Sequence, residues 1–254
     1  MKPVFNIFIC CIFFAAMGCS PVYYQPNLMN TPNFREKGEV HLAASVASNG
    51  GDVQAAYAFT NHFAAQINFT KASKTVNGSN NVAIKGQLGE VAIGYFGLLS
   101  DQLTFGVFGG YGSGKVRNDW GTRGVSLASF NKLFVQPTIG IRIKQLEFIY
   151  AIKLANLSYH NQAQNFKEQS FIDDFDALKK PIPVLESGLT FRVGGEHLKF
   201  LLQASSMRLI NKSNTAFRFE PSSLGFGICL QFGGGTNAMY DKRGKDKNIC
   251  YKVF

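Results

Sequence analysis

From Gly38 to Phe232 apolar and polar residues alternate with a period of two, broken at intervals by polar or glycine-rich stretches. A β-strand imposes that period, because successive side chains point to opposite faces. Ten strands are predicted. Their apolar faces begin with Val40, Leu42, Ala44 and Val46, continue through runs such as Leu133, Val135, Ile139, Ile141 and Ile143, and end with Leu224, Phe226, Ile228, Leu230 and Phe232. The breaks alternate in length. Thr60–His62, Ser100–Asp101, Lys144–Gln145 and Gly194–Glu196 are tight, whereas residues 72–84, 115–131, 159–183 and 210–220 read as long irregular loops. Only the first connection on the long side, around Asn49–Asp52, is short. The pattern predicts an all-β fold: an antiparallel up-and-down transmembrane-type β-barrel of about ten strands, with short periplasmic turns and long outer loops.

Alternation alone does not say which face meets water. The second face decides, because it carries small, mostly uncharged residues such as Gln54, Ala56 and Ala58, or Gly106, Gly110 and Gly112. A water-facing surface would carry many more lysines and glutamates. Charged residues are only 17% of the chain, against ~25% for soluble domains. The apolar face is therefore expected to meet hydrocarbon and the small face to fill a narrow lumen. The charges on that inner face are Glu39, Glu90, Glu147 and Glu186 against Arg142, Lys144, Lys153, Arg192 and Lys199. Unpaired buried charge is costly, so these are expected to pair across the lumen and plug it.

The ends of the chain differ from the middle. After Lys2, residues Val4–Ala16 form an apolar run too short to span a bilayer as a helix, and the run ends in Ala16-Met17-Gly18-Cys19. That sequence resembles the bacterial lipobox. The resemblance implies cleavage after Gly18, lipidation of Cys19 and, with Ser20 following, transfer to the outer membrane. The expected organisation is a lipoprotein signal peptide at 1–18, a lipid-anchored tether at 19–37, the barrel at 38–233 and a basic C-terminal tail at 234–254. With ten strands both chain ends are expected on the periplasmic side. The aromatic end of the last strand, Leu230-Gln231-Phe232, resembles the signal read by barrel-assembly machinery. The segments Tyr24–Asn27, Asn30–Glu39 and Asp52–Ala58 resemble an uncharacterised family of Gram-negative outer-membrane barrel lipoproteins, which implies location and fold but no activity.

Chemistry-bearing motifs are few. Cys229 and Cys250 remain after processing, either as a disulfide or as free thiols. Lys115, Arg117, Trp120 and Arg123 share one loop, where an indole with cations suits lipopolysaccharide phosphates or sugars, or simply rests on the rim. In 159–183, Ser170 and Asp173 resemble a capping box, Phe171, Phe175 and Leu178 share a helical face, and the aspartates 173, 174 and 176 lack the spacing of a calcium loop. His41 is expected in the lumen. No serine, acid and histidine share a hydrolase spacing, and no metal, cofactor or nucleic-acid motif is present. The net charge of +10 fits proximity to anionic lipid. The expected partners are outer-membrane lipid, the barrel-assembly and lipoprotein-sorting machinery and lipopolysaccharide. The expected role is structural or surface interaction, without enzymatic activity. The alternatives are a lipid or small-molecule binding barrel, lipocalin-like or membrane-embedded, and an outer-membrane lipid-modifying enzyme.

Overall fold

In a computed structural model, residues 21–48, 50–76, 82–211 and 216–233 are described. Ten antiparallel strands among them close into one barrel. They are β1 (Val40–Ala47), β2 (Gly50–Ala58), β3 (Phe63–Val76), β4 (Val82–Leu98), β5 (Leu103–Asp119), β6 (Val125–Ile143), β7 (Leu146–Gln164), β8 (Ile182–Gly194), β9 (Leu198–Leu209) and β10 (Ser222–Phe232). Each pairs with its sequence neighbour, and β1 meets β10 from Val40↔Phe232 to Ala47↔Gly225. Closure removes the sheet edges, whose unpaired backbone groups would each cost several kcal/mol in hydrocarbon. Pro137, which cannot donate to the ladder, lies inside β6. The β6–β7 pairing passes over Gln136 and Pro137 and resumes in register at Thr138↔Ala151.

The alternation is realised as expected. Outward residues such as Phe200 and Phe226 are 69% and 68% exposed, while their inward neighbours Leu201 and Gly225 are buried. Apolar exposure of this extent around every strand does not occur on a water-soluble monomer. Near the short turns Phe63 meets Tyr95 edge to face, and Tyr95 with Phe105 and, further round, Phe148 with Phe191 pack as tilted pairs, as part of an aromatic girdle. Inside, phenylalanines cover facing glycines. A Cβ on Gly110 would lie 2.4 Å from the Phe134 ring, and one on Gly114 2.5 Å from the Phe130 ring.

Strand length departs from expectation. β4 and β5 have 17 residues and β6 and β7 have 19, against 8 and 9 in β1 and β2. About 9–11 residues cross a membrane as a tilted strand, so β4–β7 continue beyond it as a tall wall on one side of the mouth. Most of the expected loops at 72–84 and 115–131 are strand; the latter reduces to Trp120–Gly124. The loop after β7 holds α1 (Gln169–Asp176). Phe171, Phe175 and, just past its end, Leu178 are all buried, but they divide between two clusters: Phe171 packs with Trp120 and Phe166, whereas Phe175 and Leu178 join the main core, and there is no capping box. Glu168 is the N-cap, and Asp173 accepts a bond from Gln169 at 2.8 Å. Trp120 does not rest on the rim. It is buried against Phe171, with ring centroids 5.0 Å apart.

The expected tether at 19–37 is also corrected. Its described part is extended, but it runs inside the barrel, with Tyr23, Tyr24, Leu28, Met29 and Phe34 each at most 2% exposed. The expected signal peptide at 1–18, Cys19, Ser20, the expected tail at 234–254 and Cys250 lie outside the described residues. Cys229 is buried on the lumen side.

Candidate functional site

The lumen and its outer mouth form the candidate site. Residues 21–37, the strap, cross the lumen from end to end. At the long-loop end Val22 donates to Asn118 Oδ1, Tyr23 N donates to Arg218 O, and Tyr24 bridges Phe219 as a short parallel pair. Midway, Gln54 and Asn68 donate to Leu28 O, Gln203 to Met29 O at 2.7 Å, and Gln136 to Asn30 O at 2.7 Å. At the short-turn end Lys37 N donates to Asn61 Oδ1, and Arg35 reaches Asp101 O. Beyond that short pairing the extended segment has no strand partner, and side chains take up part of its backbone bonding. The inward Gln and Asn residues of the barrel supply them.

Two ionic layers hold the strap. In the upper layer Lys132 Nζ lies 2.8 Å from Glu90, 3.0 Å from Glu186 and 2.7 Å from Tyr24 Oη. Lys153 completes it, 2.9 Å from Glu90 and 4.0 Å from Glu186. Two carboxylates and two ammoniums balance there, and Asn27 of the strap donates to Glu90 at 2.7 Å. In the lower layer Glu147 stands among Arg142, Arg192 and Lys199, at 2.9 Å and 3.1 Å from the two guanidiniums. The surplus cationic donors turn to strap carbonyls: Arg192 to Thr31 O at 2.8 Å and Arg142 to Asn33 O at 2.7 Å. Glu39 sits apart. It accepts from the Arg35 and Glu36 amides and lies 3.5 Å from His41, which the lumen does enclose.

Of the charged residues expected inside, Glu39, Glu90, Arg142, Glu147, Lys153, Glu186, Arg192 and Lys199 face the lumen. Lys144 does not; it occupies the exposed β6–β7 turn at φ 54°. Lys132, at the centre of the upper layer, was not anticipated. It shares the parity of Phe134 and Gln136, so extending the inner face of β6 upward by one step finds it. Beside the strap remains a cavity of about 40 Å³, lined by Asp52, Thr70, Leu88 and Val116 among others. That is room for a few waters.

The mouth is roofed by α1. Phe175 packs on Tyr23 at 5.8 Å, and the two carboxylate oxygens of Asp174 share the Nε–H of Arg218, at 3.1 and 3.2 Å. Burial pushes the Asp174 carboxyl above the usual carboxylate range, and the Arg218 guanidinium opposes that shift. Outside, above the apolar belt, Lys71, Lys85, Lys115 and Arg117 are exposed on adjoining strands. Lys85 and Arg117 are direct cross-strand partners, and Lys71 and Lys115 both face Gln87. Like charges opposed in this way repel, and Asp119, 3.4 Å from Arg117, offsets part of that repulsion.

No protein-family model matches the chain, and no curated protein matches it. Among solved structures it is similar to the crystal structure of the outer membrane protease OmpT from Escherichia coli. The identity is 7% and the TM-score 0.49, covering 80% of this chain and 99% of that one. The expectation that the chain is not an enzyme is corrected here. That expectation rested only on the lack of a recognisable hydrolase spacing, and the barrel to which the chain is similar is described as a protease. A likeness at this identity conveys fold and no activity. The fold is a closed ten-stranded β-barrel of outer-membrane type, with apolar residues on the outward face of its strands.

Proposed function

We propose that the chain is an outer-membrane barrel lipoprotein, anchored through Cys19, whose lumen is sealed by its own strap and which works through the surface it displays. Its role on this reading is structural or surface interaction. The observation that carries it is the filled interior: Tyr24, Lys132, Lys153 and Glu186, in the upper layer of the lumen, are each at most 2% exposed. Ligand pockets usually enclose ~300–1,000 Å³. A lumen with about 40 Å³ beside the strap does not favour a small-molecule cup, and a belt of outward apolar residues does not favour a soluble lipocalin-like form. The exposed cations Lys71, Lys85, Lys115 and Arg117 suit the phosphates of lipopolysaccharide or other anionic lipid, and the remaining partners are the barrel-assembly and lipoprotein-sorting machinery.

Planar-bilayer recording of the purified full-length protein tests the sealed lumen, with heat-modifiable gel mobility as the check that the barrel is folded. Folded protein is expected to give no stable conductance. Large, steady channels from folded protein would contradict the reading.

A further inference from the structure

We propose that the strap delivers Cys19 to the outer mouth of the barrel, so that an acyl group on it enters the outer leaflet of the membrane. The inference rests on the outer-membrane reading above and adds the face on which the chain begins. Its basis is the direction of the strap. β1 starts at the short-turn end, beside Asn61 and Asp101, and the strap reaches it from above. Going backwards along the chain, Phe34, Met29, Leu28 and Tyr24 rise through the lumen, and Val22 is bonded to Asn118 near the top of β5. Tyr24 lies against Phe219, and Tyr23 O accepts from Tyr159 at 2.9 Å, both on the long-loop side. Short turns face the periplasm and long loops the exterior in barrels of this type.

Chain reach decides between the leaflets. An extended chain spans at most ~3.6 Å per residue, so Cys19 lies within ~7 Å of Pro21. The apolar band of such a barrel is ~25 Å tall. From the long-loop end a cysteine on that leash cannot return its lipid to the periplasmic leaflet. A tether running directly from the periplasmic leaflet into β1 would leave the lumen without Tyr23–Phe34, whereas those residues make the contacts that fill it.

Epitope display in intact cells tests this. One short epitope is inserted between Ser20 and Pro21, leaving Met17–Ser20 intact; a second replaces residues 212–215; a third is inserted between Lys144 and Gln145. Antibody is expected to reach the first and second on intact cells, and the third only after the outer membrane is permeabilised. If the second is reached and the first is not, the threading is overturned while the outer-membrane reading stands. If the third is reached on intact cells, or the protein is missing from the outer-membrane fraction, the underlying reading falls and the inference with it. Ser20→Cys in a Cys250→Ser background, labelled with a membrane-impermeant maleimide, gives the same readout without an insertion. Labelling of whole cells supports the threading, and labelling only of lysed cells overturns it.

Discussion

Lys132→Met separates a stabilising ionic layer from an ornamental one. The side chain is fully buried and makes four contacts: Glu90 at 2.8 Å, both oxygens of Glu186 at 3.0 Å and Tyr24 Oη at 2.7 Å. Methionine fills a similar volume, so packing is largely kept and charge is the variable. At ~3 Å and an effective dielectric of ~20, one such pair attracts by about 5 kcal/mol. Desolvation of several kcal/mol per ion offsets much of that, so the intact layer adds little net stability. Its disruption is another matter. Two carboxylates would be left with Lys153 alone, and Glu186 would keep only Tyr24 Oη and an ammonium 4.0 Å away. Removing one partner of a buried pair costs ~3–5 kcal/mol, about 10²–10⁴-fold in the unfolding constant. Equilibrium urea unfolding in detergent micelles or vesicles, followed by heat-modifiable mobility, measures it. Lys132→Met with Glu186→Gln should recover a substantial part of the loss, because the layer is again neutral. A single variant within ~0.5 kcal/mol of the parent would refute the reasoning.

Phe226→Arg on the outward face should lose ~2–4 kcal/mol if hydrocarbon surrounds it; an unchanged urea midpoint in vesicles would mean that water does. Gly114→Val should cost ~1–3 kcal/mol, since Phe130 is already wedged between Tyr24 and Tyr159 and cannot withdraw from a new side chain. A midpoint equal to the parent's would show slack around that ring. Because the Asp174 carboxyl is shifted upward, docking of α1 takes up a proton. That contribution is complete below the undocked value of ~3.9 and lost as pH rises through the docked one. Hydrogen-exchange protection over 169–179, with the intrinsic rates at each pH divided out, should therefore be higher at pH 4 than at pH 7, with Asp174→Asn flattening the difference; lower protection at pH 4 would overturn the assignment.

The barrel was legible because period-two alternation records a physical boundary on every strand. Phe200 and Phe226 point out and Lys199 and Gly225 point in for the same reason that their neighbours in sequence differ. Strand ends were less legible. Beyond the membrane the outward face of β4–β7 meets water while the inward face packs an apolar cluster, so Lys85, Lys115 and Arg117 point out and Ile84, Val116 and Phe130 point in, reversing the sense of the alternation while the hydrogen bonding continues. Lys132 was missed at that boundary. Lys144 was misplaced inside because parity alone cannot register that the chain turns at a residue with positive φ. The strap left no periodic trace at all. Tyr23, Tyr24, Leu28, Met29 and Phe34 are spaced to suit an irregular cavity wall rather than a sheet, and three prolines read as a linker.

A strand threaded through a ring constrains the order in which the ring is made. The β1–β10 seam closes over Gly225 and Gly227, whose surroundings leave no room for a Cβ: one on Gly225 would sit 2.5 Å from Leu28 of the strap. Biogenesis must therefore lay residues 21–37 along the open, curling sheet before the last pair of strands zips, or else drag a greasy N-terminus through a finished tube. The first route lets the strap act as a mandrel around which the cylinder is wound. On that route a chain lacking these residues would show its first defect in the rate of assembly, ahead of any change in permeability.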